Sequence, residues 1–139
     1  MGFTRYWKRT DKQFTQPFID DVKAIIREGK KYGIKIRSWT GKGNWAVNDK
    51  YIAFNGDAAT GNDYESVVIK NVNTDEYSLQ HDGFGFCKTA REPYDAVVSA
   101  VLRRAEYYGI VKDVSDDGPN PETDDIADKI YAHLFGGES

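Results

Sequence analysis

Cysteine occurs once in this chain and histidine twice, in 139 residues. A single thiol excludes an internal disulfide, and one cysteine with two histidines cannot assemble a typical zinc site. Both facts fit a cytosolic location. No apolar stretch approaches the roughly 20 residues of a membrane span. The opening MGFTRYWKRT lacks the apolar run of a secretory signal. It begins Met-Gly, but Tyr6 stands where N-myristoylation wants serine or threonine. Excess positive charge is lacking as well. The formal net charge is −3, which argues against broad, sequence-blind binding to nucleic acid while leaving room for a local basic pocket.

Apolar residues, by contrast, are plentiful. They make up 40% of the chain and charged residues 29%, the balance of a folded globular protein rather than a disordered one. The length is that of one domain, here 1–139, with 136–139 (GGES) expected as a frayed tail. Nine tyrosines, seven phenylalanines and three tryptophans can mostly be absorbed by a core.

Hydrophobic periodicity divides the chain into short elements. Residues 3–8, aromatic and β-branched, read as a first strand. Phe18, Val22, Ile25 and Ile26 recur at helical spacing. Thr15 or Gln16 lies at the cap, Pro17 in the first turn, and Gly33 stops the helix near Tyr32. Ile34 and Ile36 alternate with Lys35 and Arg37, predicting a second strand over 34–37. A hairpin comes next, with strands near 44–47 and 51–55, then strands over 65–70 and 84–88, the stretch 71–83 between them being a surface excursion. Val97, Val98, Val101, Leu102 and Ala105 give an apolar helix face over 93–108. The run IVKDVS is a last strand, and Ile126, Ile130 and Leu134 place a third helix over 122–135. The words KKYGI and EYYGI repeat a helix-to-strand step, which reads as a common glycine turn or as a duplicated unit. The sum is an α+β single domain. It has a mixed or mostly antiparallel sheet of about six to seven short strands and three helices, two of them packed on one face.

One stretch, FGFCKTAREPYD at 84–95, concentrates chemistry. Alternation puts Phe84, Phe86 and Lys88 on one side of the strand and Gly85, Cys87 and Thr89 on the other. Pro93 disfavours helix at Glu92, so the helix is expected to begin at 93 with Glu92 as its cap. A helix N-terminus offers free N–H groups and partial positive charge. Lys88, Thr89 and Arg91 crowd the same point, which describes an anion pocket for a phosphate or carboxylate. The competing reading is structural: Asp95 caps the helix, and Lys88 or Arg91 pairs with Asp95 or Glu92. Cys87, flanked by aromatics, reads as a buried small residue rather than a nucleophile.

Three other words lie at strand ends or on the first strand: Asn55-Gly56, SDDG at 115–118, and Thr4, Tyr6 and Trp7. If they converge on Lys88, the site suits a nucleotide. Phosphate would lie on Lys88, Arg91 and the helix end, the base on Tyr6 or Trp7, the ribose on Asp117 or Asn55. Asn55-Gly56 and SDDG also have a plain turn reading. The carboxylate pair lacks a third acid at a recognisable spacing, so no metal and no cofactor are expected.

The words FGFCKTAREPYD, MGFTRYW, IAFNG and VSDDG together resemble a family of small proteins found largely in bacteriophage and prophage genomes. Its members carry FCKTARKPYD-like and MGYTHYW-like words. Matching positions are Thr4, Tyr6, Trp7, Asn55, Gly56, Phe86 to Ala90, Pro93, Tyr94, Asp95, Ser115, Asp117 and Gly118. Arg5 stands where the family usually has histidine. The resemblance implies a phage setting in a bacterial cytoplasm more than a chemistry.

Three functions remain open. The first is capture of a phosphorylated small molecule, such as a nucleotide immune signal of the host, through Tyr6, Trp7, Asn55, Lys88, Thr89, Arg91, Tyr94 and Asp117. The second is a phosphodiesterase-like enzyme using Lys88, Tyr94 and Asp117 for charge stabilisation and proton transfer. The third is an inhibitor that docks onto a host protein. A small sheet with aromatic-rich edges also suits a homodimer.

Overall fold

The computed structural model describes residues 2–72 and 83–137. Chain order runs β1 (Thr4–Arg9), α1 (Gln16–Lys30), β2 (Ala46–Val47), β3 (Tyr51–Phe54), a 3₁₀ turn (Ala58–Thr60), β4 (Val67–Lys70), β5 (Phe84–Lys88), α2 (Asp95–Tyr107), β6 (Val111–Asp116) and α3 (Pro121–Phe135). The strands form two antiparallel three-stranded sheets, ordered β5-β1-β6 and β2-β3-β4. This is an α+β fold, as the sequence implies. The expected surface excursion lies mostly outside the described residues, as do the last two residues of the expected tail.

Helix α1 begins where its cap chemistry dictates. The Thr15 hydroxyl accepts the Phe18 N–H at 3.3 Å, and proline occupies the first turn. Its apolar stripe, Phe18, Ile19, Val22, Ile25 and Ile26, is buried. The helix closes at Gly33, at φ +78°, with the Ile34 N–H donating to Gly29 O at 3.2 Å and the Gly33 N–H to Lys30 O at 3.0 Å. Helix α2 closes in the same way at Gly109, at φ +74°: Ile110 N–H donates to Ala105 O and Gly109 N–H to Glu106 O. The echoed Tyr-Gly-Ile words are therefore two copies of one stop signal, a left-handed glycine that lets the chain turn back on the last helical carbonyls.

The two stops lead into different structures. After Gly109 the chain enters β6. After Gly33 the expected strand at 34–37 does not form, and only one bridge, Arg37 to Asn55, is made. Alternation still holds there. Ile34 and Ile36 are buried and Lys35 is exposed, so the stretch is extended and amphipathic without a ladder partner along its length. Periodicity reports which side is buried, and pairing needs a neighbour strand at the right distance.

One apolar cluster joins the three helices to the inner faces of both sheets, with Trp7, Cys87, Val97, Val101, Ile52 and Ile69 among its members. Register places Arg5 opposite Cys87, Tyr6 opposite Phe86 and Trp7 opposite Gly85. The Trp7 indole lies across Gly85, where an added Cβ would come within 2.4 Å of Nε1. Glycine at 85 is thus the space that a buried tryptophan needs on the neighbouring strand.

Candidate functional site

The start of α2 is held from below by its own acid. Asp95 is fully buried. Its Oδ1 accepts from Arg5 Nε at 3.0 Å and Thr89 Oγ1 at 2.8 Å. Its Oδ2 accepts from Arg5 Nη2 at 2.8 Å, Asn120 Nδ2 at 3.0 Å and Thr123 Oγ1 at 2.7 Å. Burial alone would push this carboxyl up. The hydrogen bonds and charge of Arg5, with the hydroxyls of Thr123 and Thr89, outweigh it and hold the group below the ordinary carboxylate range. Arg5 is buried too, and also reaches Asp116 at 3.0 Å and Asp124 at 3.1 Å. The MGFTRYW and FGFCKTAREPYD words therefore meet as paired strands and as a bidentate ion pair.

Residues 88–95 depart from expectation in several ways. The helix begins at Asp95, two residues later than expected, and Tyr94 rather than Glu92 is the boundary residue, with no side-chain cap. Ala90 and Arg91 both adopt left-handed φ, +52° and +62°, and the tight turn sends neighbouring side chains apart. Thr89 turns inward to Asp95. Arg91 turns outward, stacking on Phe3 at 4.7 Å and donating to Pro119 O at 3.1 Å. Lys88 is exposed. The three do not converge on one pocket, and the partner of Asp95 is Arg5 rather than Lys88 or Arg91. A cavity of about 70 Å³ reaches Pro93 and Tyr94, room for a water or two and not for a nucleotide.

Three further residues from the expected ligand set are buried. Tyr94 donates its hydroxyl to Glu65 O at 2.5 Å and lies near Lys88 O at 3.3 Å; burial pushes its pKa far up. Asn55 accepts from the Gly56 and Tyr64 N–H groups and donates to Tyr64 O, clamping the loop after β3. Trp7 belongs to the core.

The remaining members gather on the outer face of the β5-β1-β6 sheet. Tyr6 lies directly opposite Phe86, Lys8 opposite Phe84, and Thr4 opposite Lys88; on the other flank Ser115 lies opposite Tyr6. Directly paired residues share a face. Phe84 and Phe86 are 48% and 50% exposed. Ring centroids are 6.1 Å apart for Tyr6 and Phe84 and 5.9 Å for Phe84 and Phe86, each pair tilted by about 30°. The Tyr6 hydroxyl donates to Asp117 Oδ1 at 2.9 Å, and that bond raises the pKa of the phenol. Asp117 Oδ2 accepts the Thr4 N–H at 3.0 Å. Its neighbour Asp116 accepts from Arg5 and from the Gly118 N–H. The SDDG carboxylates are thus engaged in closing β6 against β1.

The face is an aromatic row flanked by Lys8 and Lys88, with a hydrogen-bonding corner at Asp117. Sequence reasoning included Tyr6, Lys88 and Asp117 in the site but left out Phe84, Phe86 and Lys8. The signal was present in the alternation of 84–88, where the two phenylalanines share a side with Lys88. That this side faces solvent comes only from the helices' occupying the other one.

Fold and face together define an antiparallel α+β protein with one sheet side buried under helices and an aromatic side exposed. Comparison with protein-family models, with curated proteins and with solved structures finds no match. No helix among the described residues is long and apolar enough to cross a membrane.

Proposed function

We propose that this chain binds a phosphorylated small molecule of the nucleotide kind on the outer face of the β5-β1-β6 sheet. The observation that carries the reading is the row of Tyr6, Phe86 and Phe84 between Lys8 and Lys88. Exposed rings stack bases of any identity, each stack being worth about 1–3 kcal/mol. Antiparallel sheets that present two or three aromatic rings serve this purpose in other proteins; the likeness is one of surface chemistry. A flanking ammonium meets phosphate, and Asp117 can accept from a ribose hydroxyl.

The setting we propose comes from the resemblance to phage-encoded proteins. It is the cytoplasm of a bacterial host, where such a protein would sequester a nucleotide immune signal. Turnover is not part of the proposal. Of the three groups an enzyme would use, the Tyr94 hydroxyl is bonded to backbone carbonyls in the interior, which leaves Lys88 and Asp117 without a proton-transfer partner in Tyr94.

The test is a panel of cyclic and linear nucleotides, read by thermal shift and by analysis of what denatured protein releases. Intact nucleotide recovered from wild type but not from a Tyr6→Ala/Phe86→Ala variant is the expected result. Altered nucleotide would replace capture by catalysis. No shift and no recovery with any nucleotide would reject the proposal in favour of a protein partner on the same half-exposed phenylalanines.

A further inference from the structure

A second basic concavity lies elsewhere, between α1 and the extended stretch beyond its glycine stop. It is a groove of about 380 Å³. Arg27 and Lys30 line it from α1, three residues apart and so on one helix face. Lys35 and Arg37 line it from the stretch 34–37, two residues apart and so on one side of an extended chain. Ile26, Ile34 and Ile36, themselves buried in the core, complete the lining with Asn44 and Trp45. Among the described residues lining the groove none is acidic. Arg37 is paired with the buried Asp57 carboxylate at 3.2 Å, so the positive potential around the hollow rests on Arg27, Lys30 and Lys35, in a chain whose net charge is −3.

Two of the four heads are held in place. Arg37 is fixed through its backbone, which exchanges both hydrogen bonds with Asn55 at 2.9 and 3.0 Å. Its Nε donates to Asp57 at 3.2 Å, and this bond orients the guanidinium. The Arg27 guanidinium lies 5.9 Å from the Trp45 ring, close enough for a cation–π contact. Lys30 and Lys35 are exposed and supply mobile ammonium groups across the hollow. Pre-positioned guanidinium groups with flexible lysines opposite are the donor set that phosphate groups call for: planar forks for paired oxygens and point charges for the rest. The last-turn carbonyls of α1, which would repel an anion, accept from Lys31, Tyr32, Gly33 and Ile34 N–H groups. Those bonds mask the negative end of the helix.

We infer that this groove is a binding site for a compact polyphosphate-bearing small molecule, with its phosphates bridging the Arg27–Lys30 and Lys35–Arg37 pairs. The site shares no residue with the sheet face and stands whether or not that face binds nucleotides. Cations contributed by both segments that line the groove favour several linked phosphates over one.

The probes are inorganic tripolyphosphate and inorganic phosphate, titrated by calorimetry against the full chain at low and moderate salt. Tripolyphosphate is expected to bind at least about 100-fold more tightly than phosphate, and to weaken as salt rises. In a Lys30→Glu/Lys35→Glu variant the affinity should drop by more than about tenfold. These side chains are exposed, so an unchanged thermal midpoint will confirm that the variant folds. A Tyr6→Ala/Phe86→Ala variant should bind tripolyphosphate as wild type does. No saturable tripolyphosphate binding, or an affinity that the charge reversal leaves unaltered, would overturn the assignment. Loss in the Tyr6/Phe86 variant instead would move the anion to the sheet face.

Discussion

Arg5 of the first strand and Asp95 of the second helix are joined by two parallel hydrogen bonds, Nε to Oδ1 at 3.0 Å and Nη2 to Oδ2 at 2.8 Å, with both side chains buried. Ninety residues of chain separate them. The pair links β1 to the start of α2, and Asn120 and Thr123 bring the start of α3 to the same carboxylate.

Removing one partner should therefore be severe. Asp95→Ala leaves a buried guanidinium without its main counter-charge and is expected to cost about 3–5 kcal/mol, measured by urea unfolding at neutral pH. The pH dependence has a definite sign. The folded carboxyl titrates below its unfolded value of about 3.9. Its contribution is thus fully present above that value and is lost as pH falls through the folded one. Wild type should lose stability on going from pH 5 to about 2.5, and Asp95→Asn should show a shallower loss over that window.

Gly85→Ala tests the packing of Trp7. A methyl group placed 2.4 Å from the indole nitrogen forces the ring or the strand to move, at a cost of about 1–3 kcal/mol or more. A lowered thermal midpoint and a changed tryptophan emission spectrum are expected. Unchanged stability would mean that the indole has room to shift.

The thiol of Cys87 should be inert in the folded protein. Burial pushes its pKa up to about 12, against a smaller lowering effect of the Tyr94 hydrogen bond. At pH 8 a thiol reagent should label native protein only at the rate of unfolding, and denatured protein at once. Rapid native labelling would contradict the burial.

Alanine at either helix stop should destabilise. Gly33 and Gly109 sit at φ +78° and +74°, where a Cβ costs roughly 1–2 kcal/mol. Gly109→Ala should show the loss in thermal unfolding, because the residues after it must enter β6 directly.

On the sheet face, Lys88→Ala should leave the thermal midpoint within a degree or two, the effect of roughly 0.5 kcal/mol or less expected for an exposed residue. It should weaken nucleotide binding measured by fluorescence. Phe86→Ala should weaken binding further, by about 1–3 kcal/mol. Equal affinities for wild type and both variants would remove this face from consideration.

Local chemistry is written plainly in the chain. Thr15 and Pro17 start α1, Tyr-Gly-Ile ends two helices, and the five residues of β5 can be read from alternation alone. These depend on neighbours a few positions apart, whose propensities and caps act whatever the rest of the molecule does. The α+β class comes from them. Where the structure departs from local pattern, the missing information is distant in sequence. The stretch 34–37 has the pattern of a strand but meets only Asn55. Asp95 looks like a helix cap until Arg5, folded beside it, takes both its oxygens. Lys88, Thr89 and Arg91 are consecutive or nearly so, yet strand alternation puts Lys88 and Thr89 on opposite sides, and the left-handed Ala90 and Arg91 turn the chain so that the Arg91 side chain reaches Phe3 and Pro119.

The sequence by itself determined which stretches form the helices and most strands, which residues alternate, and that Phe84, Phe86 and Lys88 share a side. Only the tertiary structure decided that this side faces water, that Tyr6 and Asp117 join it, and that Arg27, Lys30, Lys35 and Arg37 surround a common hollow. The physical reason is that exposure and charge convergence are properties of surfaces assembled from remote segments, and no window of a dozen residues contains them.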